Sequence, residues 1–295
     1  MRTMSLYETG ESDGAVSLAS LFDGGFKGTL DYGTPSLEKL VDLAVRGGWP
    51  DALSLDPKDY GQVAATYLEY AVEDACILDA NGGQGAPVNR DKMRMLLRSL
   101  ARNESTVASN ARILKDMAAY DDETVAKETY YGYTDRLDRI HLISDTPCFR
   151  PNVRSDMRIG KAPKRHLTDV SLAIAALGLR RESLMEDLNT FGFFFEALCE
   201  HDLHLYAEAS GGHLFHYRDG RDREIDAIVE APDGRWGALE IKLGFSQVDR
   251  AAENLLGFAD VMGREGTPPT FLCIVCGMTR YAYRRPDGVY VVPIT

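Results

Sequence analysis

The sequence lacks the excess of positive charge that is typical of proteins that coat nucleic acid. Its 295 residues contain 33 Lys and Arg against 45 Asp and Glu, which gives a net charge of −12. Nonspecific binding to nucleic acid depends mainly on Lys and Arg side chains that neutralise phosphates. We therefore exclude binding by overall charge and expect any contact with nucleic acid to come from a local basic segment.

Long apolar runs are also missing. No stretch approaches the ~20 apolar residues that cross a bilayer, and residues 1–14 are too polar for a secretory signal. We therefore expect a cytoplasmic protein with no membrane partner. The hydrophobic content of 44% is nevertheless ordinary for a globular chain, so a sizeable core in two or three domains is expected.

Cysteine is scarce and shows no pattern of disulfides or zinc ligands. Cys273 and Cys276 have the spacing of half a zinc site, but residues 270–276 form an apolar run that is typical of a buried strand. Residues three apart on a strand point to opposite faces, and the sequence contains no second pair with this spacing. We interpret both residues as thiols of the core.

A phosphate-binding loop is absent as well. The pattern Gly-x-x-x-x-Gly-Lys-Ser/Thr does not occur, and the Gly-rich residues 81–85 are not followed by a lysine. We interpret this Gly-rich stretch as a flexible linker. We therefore expect that this chain alone neither binds nor hydrolyses ATP.

The sequence does contain a β-meander over residues 213–244, in which runs of β-forming residues are separated by turn sequences. The second turn, Pro232-Asp233-Gly234, sets a register in which Asp226 lies opposite Glu240. Alternation then places Asp226, Glu240 and Lys242 on one face. The other face is predicted to be apolar and to contain Ile225, Ala227, Val229, Leu239, Ile241 and Leu243.

The charged face is a candidate metal site. Two carboxylates that face each other repel unless a cation lies between them. Mg²⁺, or Mn²⁺ in its place, binds through one or two carboxylates and keeps water ligands, so Asp226 and Glu240 are candidate ligands. Lys242 is a candidate for orienting or deprotonating an attacking water, or for neutralising charge on a phosphate. The alternative to a metal site is that these charged residues simply form the solvated face of a two-layer sheet.

An Asp on one strand followed by Glu-x-Lys on the next is the pattern of the PD-(D/E)xK nuclease fold, which this hairpin resembles. The flanking patterns agree, since helices are predicted over residues 191–201 and 247–262 and a buried strand over 270–276. The resemblance implies a restriction-endonuclease-like αβββαβ domain over residues 161–295. It also implies that Glu196, on the first of these helices, lies close to the metal.

The N-terminal part of the sequence resembles a segment of certain prokaryotic AAA-type ATPases. These ATPases form a group that carries a C-terminal domain of unknown function. Met4-Ser5-Leu6-x-Glu8 matches the end of that group's ATPase core, and Arg46-Gly47-Gly48-Trp49-Pro50 matches its helical lid. The resemblance implies that residues 1–85 are a remnant of both, and that the chain is a truncated or mis-started version of a longer ATPase. The short apolar elements of residues 1–22 fit this interpretation, because they have no apolar partners nearby in the sequence.

Three helices are predicted over residues 89–101, 110–119 and 122–139, followed by a strand-like run at 140–144. The resembled family carries a winged helix-turn-helix here, at residues 86–160, and three helices followed by a hairpin fit it. Such a fold can place its third helix in the DNA major groove. Here that helix begins with acids and contains few cations, so we weight docking of a protein partner slightly above sequence-specific reading.

One segment, residues 150–166, is strongly basic and contains proline. A loop that contacts phosphates and a solvated linker are about equally compatible with this composition. Just downstream, Asp169 is expected to cap a helix over residues 170–177. The candidate nucleic-acid contacts are Arg150, Arg154, Arg158, Lys161, Lys164 and Arg165.

Two functions follow for an α/β (α+β) protein with this organisation. In the first, residues 161–295 form a Mg²⁺-dependent phosphodiesterase that cuts DNA or RNA, with Asp226, Glu240 and Glu196 at the metal and Lys242 at the water. In the second, the protein is a DNA- or protein-binding effector module of an ATPase and does not cleave. The complete set of acids favours the first function, whereas the acidic net charge and the third helix favour the second.

Overall fold

The computed structural model describes residues 2–80, 89–118, 125–150, 162–220 and 223–295. Within them the chain forms helices and a mixed seven-stranded sheet, which confirms the predicted α/β (α+β) class. The helices are α1 (Leu18–Phe22), α2 (Leu37–Arg46), α3 (Gly61–Ala80), α4 (Arg90–Arg102), α5 (Asn110–Ala118), α6 (Lys127–Arg139), α7 (Val170–Ala176), α8 (Arg181–Glu186), α9 (Leu188–Ala209) and α10 (Val248–Arg264). The strands are β1 (Thr29–Asp31), β2 (His213–Arg218), β3 (Glu224–Glu230), β4 (Trp236–Lys242), β5 (Phe271–Cys276), β6 (Tyr281–Arg284) and β7 (Tyr290–Val292). None of the helices in these ranges combines the length and the apolar composition that crossing a bilayer requires.

The chain divides into two compact units, and each is assembled from stretches that are separated in the sequence. The first unit contains Met1–Met4, Val41–Asp145 and Ala162–Ala197, and the second contains Ser5–Leu40, Thr146–Lys161 and Leu198–Thr295. The sequence predicts a different division, into three consecutive segments with boundaries after residues 85 and 160. The difference arises because most of the N-terminal stretch before α3 belongs to the same unit as the C-terminal strands.

The first unit is mainly helical, with α3 and α4 both packed against α7. Helices α4, α5 and α6 lie at the positions predicted for the three helices of the winged helix. Their buried residues recur at intervals of three and four, as in amphipathic helices. These residues are Met93, Leu96, Leu97, Leu100, Ile113, Met117, Tyr130, Tyr133 and Leu137.

Residues 140–144, predicted to be strand-like, contribute only an isolated antiparallel bridge between Ile143 and Leu167. His141 has a positive φ of 56°, in the left-handed region, which interrupts an extended run. A second antiparallel bridge joins Thr106 to Arg165. In the described part of this unit, the expected hairpin is therefore reduced to single bridges.

Asp169 caps α7, as predicted, and also fixes the first residues of the chain. Its buried carboxylate accepts hydrogen bonds from the amide of Ser171 at 2.8 Å and from the hydroxyl of Ser171 at 2.6 Å. It also accepts from the hydroxyl of Thr3 at 2.6 Å and from the amide of Gly48 at 2.9 Å. Gly47 has a φ of +64°, and a Cβ there would lie 2.4 Å from the Asp169 carboxylate. The close approach to Asp169 thus explains a glycine at this position.

The second unit is built on the seven-stranded sheet, whose strand order is β1-β6-β7-β5-β4-β3-β2. Strands β2, β3 and β4 form an antiparallel meander, and β5 lies parallel to β4. Helix α10 makes the crossover between β4 and β5 and packs against both strands. The order α9, β2, β3, β4, α10, β5 confirms the predicted succession of helix, three strands, helix and strand.

The N-terminal residues of the second unit complete its sheet. Strand β1 pairs antiparallel with β6 and forms one edge. Phe22 packs edge-on against Phe271, with ring centroids 4.9 Å apart, and Arg235 donates a hydrogen bond to the Phe22 carbonyl oxygen at 2.9 Å. The apolar residues of this stretch therefore have partners, but these lie in the last third of the chain.

Helix α10 covers the face of the sheet that the sequence analysis assigned to charged residues. A buried cluster fills the space between this face and the helix, so the face is mainly apolar and the charged residues are confined to one end of it. Burial on both faces also explains why β3 and β4 show no alternation of buried and exposed residues. The cluster includes Tyr217, Ile225, Ile228, Trp236, Ala238, Val248, Ala251, Leu255, Phe258 and Met262.

A bulge in β3 corrects one further expectation. Phe215 pairs with Ile228 and Tyr217 pairs with Ile225, so β3 contains one residue more than β2 over this span. Simple alternation is therefore wrong for Ile225, which packs in the cluster under α10 instead of on the opposite face. The extra residue falls in the span that contains Asp226.

Candidate active site

The predicted register of the β3–β4 hairpin is confirmed. Ala227 pairs with Leu239 and Ile228 pairs with Ala238, as a loop centred on Pro232-Asp233-Gly234 requires. The same register brings the carboxylate of β3 next to the acid and the lysine of β4. Strand pairing thus assembles the candidate site from residues that are about fifteen positions apart in the sequence.

We refer to Asp226, Glu240 and Lys242 as the acid–lysine cluster. The ammonium nitrogen of Lys242 lies 2.8 Å from Oδ2 of Asp226 and 2.6 Å from Oε2 of Glu240. The main-chain amide of Ile241 also donates to Oδ2 of Asp226, at 2.8 Å. One lysine therefore lies between two carboxylates of neighbouring strands, and its positive charge offsets their mutual repulsion.

The acids of the cluster are buried, whereas its lysine is partly open to solvent. Asp226 and Glu240 are 9% and 3% exposed, and 23% of the Lys242 side chain is exposed. Nδ2 of Asn254, on α10, donates to Oε1 of Glu240 at 2.6 Å and to the main-chain oxygen of Glu224 at 3.0 Å. Asn254 itself is exposed, so the hydrogen bond that it donates links the buried acid to a side chain at the surface of α10.

Burial and neighbouring charges shift the pKa values of the cluster. Burial, reinforced by the negative charge of Asp226, raises the pKa of Glu240 to about 7, although Lys242 and Asn254 act in the opposite direction. Burial acts to lower the pKa of Lys242, but the two carboxylates outweigh it and raise that pKa above its ordinary value. At neutral pH, Lys242 is therefore an ammonium group, and Glu240 is close to its titration midpoint.

The donor set of the cluster suits a hard divalent cation. Mg²⁺ binds proteins through one or two carboxylates and completes its shell with water, and Asp226 and Glu240 supply two such groups. Within the described ranges, no group of three or more Asp, Glu, His or Cys side chains is arranged to hold a metal ion. A cation held here would therefore rest on two carboxylates and would compete with Lys242 for their oxygens.

Glu196 and Lys164, both predicted functional residues, form an ion pair in the first unit. The side chain of Lys164 is 1% exposed, and its ammonium group is bonded to Oε1 of Glu196. Of the four predicted catalytic residues, the three of the acid–lysine cluster come together, and Glu196 has this other partner. A role for Glu196 at the metal remains a prediction. A phosphate contact by Lys164 also remains one, and it would require this pair to open.

The remaining residues of the basic segment have different surroundings. Arg150 is exposed. Arg165 is largely buried, since its guanidinium group lies 2.5 Å from the carboxylate of Asp145 and donates to the carbonyl oxygen of Ala108 at 3.0 Å. A role for the segment in binding phosphates stays a prediction. Outside the described residues lie Arg154, Arg158 and Lys161.

Asn254 is the residue of the site that the sequence analysis missed. Helix α10 buries Ala251, Leu255 and Phe258 at intervals of three and four, and Asn254 lies beside this stripe. An amide at the edge of a buried helical stripe indicates a polar partner on the facing element. That signal points to the residue, but the identity of its partner follows only from the folded sheet.

Comparisons with known proteins divide the chain into two matched stretches. No curated protein and no solved structure matches it. Residues 37–183 match the family described as domain of unknown function DUF8612. Residues 191–295, which contain the whole acid–lysine cluster, match the family described as domain of unknown function DUF4143.

Proposed function

We propose that the second unit is a metal-dependent phosphodiesterase that cleaves nucleic acid. The observation that carries the proposal is the position of the Lys242 ammonium nitrogen, 2.8 Å from Asp226 and 2.6 Å from Glu240, on adjacent strands of the meander. Phosphodiester hydrolysis needs ligands for a cation and a positive group close to the phosphate. The acid–lysine cluster contains both.

The residues of the cluster have separate roles in this proposal. Asp226 and Glu240 hold Mg²⁺ or Mn²⁺, which when bound polarises the phosphate and acidifies a water. Lys242 stays protonated at neutral pH because its pKa is raised. It therefore donates hydrogen bonds to a phosphate oxygen and neutralises its charge, and it does not serve as the base. Asn254 holds Glu240 in place through Oε1.

The resemblance assigns Glu196 to the metal, but this acid pairs with Lys164 in the first unit, and its role at a metal stays a prediction. We also propose that Arg150, which is exposed, contacts a phosphate of the nucleic acid. Neither role is needed for the proposed chemistry of the acid–lysine cluster.

We also infer that the chain works together with an AAA-type ATPase. DUF4143, the domain family that matches residues 191–295, is typically found with such ATPases. Residues 1–85 remain candidates for the end of an ATPase core and its lid. Because the sequence lacks a phosphate-binding loop, ATP hydrolysis in such a complex would come from other residues than these 295.

A module that binds without cleaving is the second candidate, and one observation favours it. Lys242 contacts both carboxylates, so a positive charge already lies between them. Glu240, with a pKa of about 7, is also partly neutral at neutral pH. Such a cluster is electrostatically satisfied without a metal. In this case the unit binds DNA, RNA or a protein partner of the ATPase and leaves the backbone of the nucleic acid intact.

Cleavage of labelled oligonucleotides separates the two candidates. Single-stranded and duplex DNA and RNA are incubated with the full chain and either Mg²⁺ or Mn²⁺. We expect cleavage that falls at least about 100-fold in Asp226→Asn. It should persist in Asp233→Asn, whose carboxylate is exposed on the turn of the same hairpin. Binding of nucleic acid with no cleavage under either metal would support the non-catalytic module.

A further inference from the structure

An exposed aromatic ring lies on the segment that leaves the acid–lysine cluster. Phe245 is 52% exposed and follows Lys242 by three residues, at the start of the 3-10 turn Phe245–Gln247. The amide of Gly244 donates to Oε1 of Gln247 at 3.1 Å, which fixes this turn. Single exposed apolar side chains are common on protein surfaces. The informative feature here is that the ring closely follows a residue of a buried charged site.

An exposed arginine lies on the helix face that reaches the cluster. Arg250 and Asn254 are four residues apart on α10, so their side chains share one face. Asn254 contacts Glu240 at 2.6 Å, and Arg250 lies one turn closer to the start of the helix. Arg250 forms no ion pair within the described part of the chain. The preceding acid, Asp249, is paired with Arg285 at 2.6 Å.

We propose that Phe245, Arg250 and Asn254, which we call the rim, bind single-stranded nucleic acid at this site. The inference rests on the proposed function and names its substrate class. Phe245 stacks on an unpaired base, Arg250 binds a neighbouring phosphate, and the strand passes Asn254 on its way to the acids. Stacking of this kind tolerates any sequence, because every base has a flat π face.

A duplex fits the rim less well than a single strand. Inside a double helix, both faces of each base are covered by its neighbours, so an aromatic side chain can stack only on a base that is unpaired or has been unstacked. The acids of the cluster are also buried, so the phosphodiester backbone of the nucleic acid must approach them closely. A flexible single strand meets both requirements without the cost of opening base pairs.

Fluorescence anisotropy of labelled oligothymidine and oligouridine, measured on the full chain in EDTA, tests the proposal without cleavage. Phe245→Ala is expected to weaken binding of both strands about tenfold, which corresponds to the loss of one stacked base. Arg250→Gln is expected to weaken binding and to lower the slope of log Kd against log salt by about one. Binding of a blunt duplex is expected to change less than about twofold in either variant.

Two variants serve as matched controls for these changes. Phe193→Ala removes a ring with the same exposure, 52%, from the first unit. Arg264→Gln removes an exposed arginine from the last turn of α10, where it pairs with Asp260 at 2.6 Å. Neither control is expected to change the binding of single strands.

The outcomes for the rim and for the metal site can be told apart. The rim proposal is overturned if the parent does not bind either strand, if Phe245→Ala binds as the parent does, or if a duplex binds more tightly than a single strand. Mn²⁺ affinity, measured on the same proteins, is expected to be unchanged in Phe245→Ala. If no protein binds Mn²⁺ while binding of single strands still depends on Phe245, the metal site is overturned and the rim stands.

Discussion

Lys242 and Glu240 are two residues apart on one strand, and their ammonium nitrogen and carboxylate oxygen lie 2.6 Å apart. Residues two apart share one face of a strand, so the Lys242 side chain can contact Glu240 and also reach Asp226 on the next strand, at 2.8 Å. Glu240 is 3% exposed. Removal of Lys242 therefore leaves a buried carboxylate without its positive partner, in a site that water reaches poorly.

The raised pKa of Glu240 predicts that Mn²⁺ affinity depends on pH. A metal binds the ionised carboxylate, so a proton on Glu240 competes with it. The pKa of Glu240 is about 7, so binding at pH 6 is expected to be roughly ten times weaker than at pH 8. Calorimetric titrations across this range provide the test. Affinity that is constant between these two pH values would contradict Glu240 as a ligand.

Replacement of Lys242 by Met is expected to destabilise the second unit when no metal is present. Without the ammonium group, Glu240 must either take up a proton or face Asp226 as a second buried charge, at a cost on the order of 3 kcal/mol in the free energy of unfolding. Mn²⁺ is expected to reverse most of this loss, because a divalent cation can take the place of the ammonium group. Urea denaturation of Lys242→Met and of the parent, each with and without Mn²⁺, measures both effects.

Lys39→Met is the matched control for Lys242→Met. Lys39 pairs with Glu11 in the same unit at 2.9 Å, but its side chain is 51% exposed. Its removal is expected to cost less than about 1 kcal/mol and to show no response to Mn²⁺. A loss in Lys242→Met that Mn²⁺ leaves unchanged would identify the cluster as a structural ion pair and not as a metal site.

Asn254→Ala is expected to change the pH dependence of Mn²⁺ binding. The hydrogen bond from Asn254 stabilises the ionised form of Glu240, so its loss raises the pKa of that carboxyl further. The pH at which Mn²⁺ binding is half-maximal should therefore move upward, with little change at high pH. Glu253→Ala, an exposed neighbour, should not move it. A loss of affinity that is equal at every pH would argue against a positioning role for Asn254.

Asp169→Ala is expected to destabilise the first unit without affecting the metal site. Its carboxylate is 2% exposed and accepts hydrogen bonds from Thr3, Gly48 and Ser171, so its loss should cost about 3 kcal/mol. Asp187 also accepts from a helix N-terminus, at Thr190, but is exposed. Asp187→Ala should therefore cost about 1 kcal/mol. Urea denaturation compares the two variants, and equal losses would show that burial of Asp169 adds nothing.

The core of the candidate site can be predicted from the sequence because its determinants are local. The short turn Pro232-Asp233-Gly234 favours one antiparallel alignment of β3 and β4, and that alignment brings Asp226 to Glu240 and Lys242. Residues close to a turn have few ways to pair, so the register follows from turn chemistry. The same holds for Asp169, whose capping role depends only on the residues that follow it.

Other parts of the site depend on contacts that no local pattern reveals. The bulge that places Ile225 under α10 arises from the pairing of β3 with β2, whose register shifts between Phe215 and Tyr217. The contact of Asn254 with Glu240 requires the crossover helix to be in place. Phe22 meets Phe271 across about 250 residues. Such pairings join residues that are far apart in the sequence. They follow only from the packed structure, in which burial of the whole sheet selects one arrangement of the strands and helices.

Calorimetric titration of the full chain with Mn²⁺, beside Asp226→Ala and Asp233→Ala, tests most directly whether the acid–lysine cluster holds a metal. We predict saturable binding to the parent and to Asp233→Ala, whose carboxylate lies on the exposed turn of the same hairpin. We predict no binding to Asp226→Ala, because Glu240 alone would then face Lys242. Absence of binding to the parent, or equal binding to Asp226→Ala, would contradict the assignment of Asp226 and Glu240 as metal ligands.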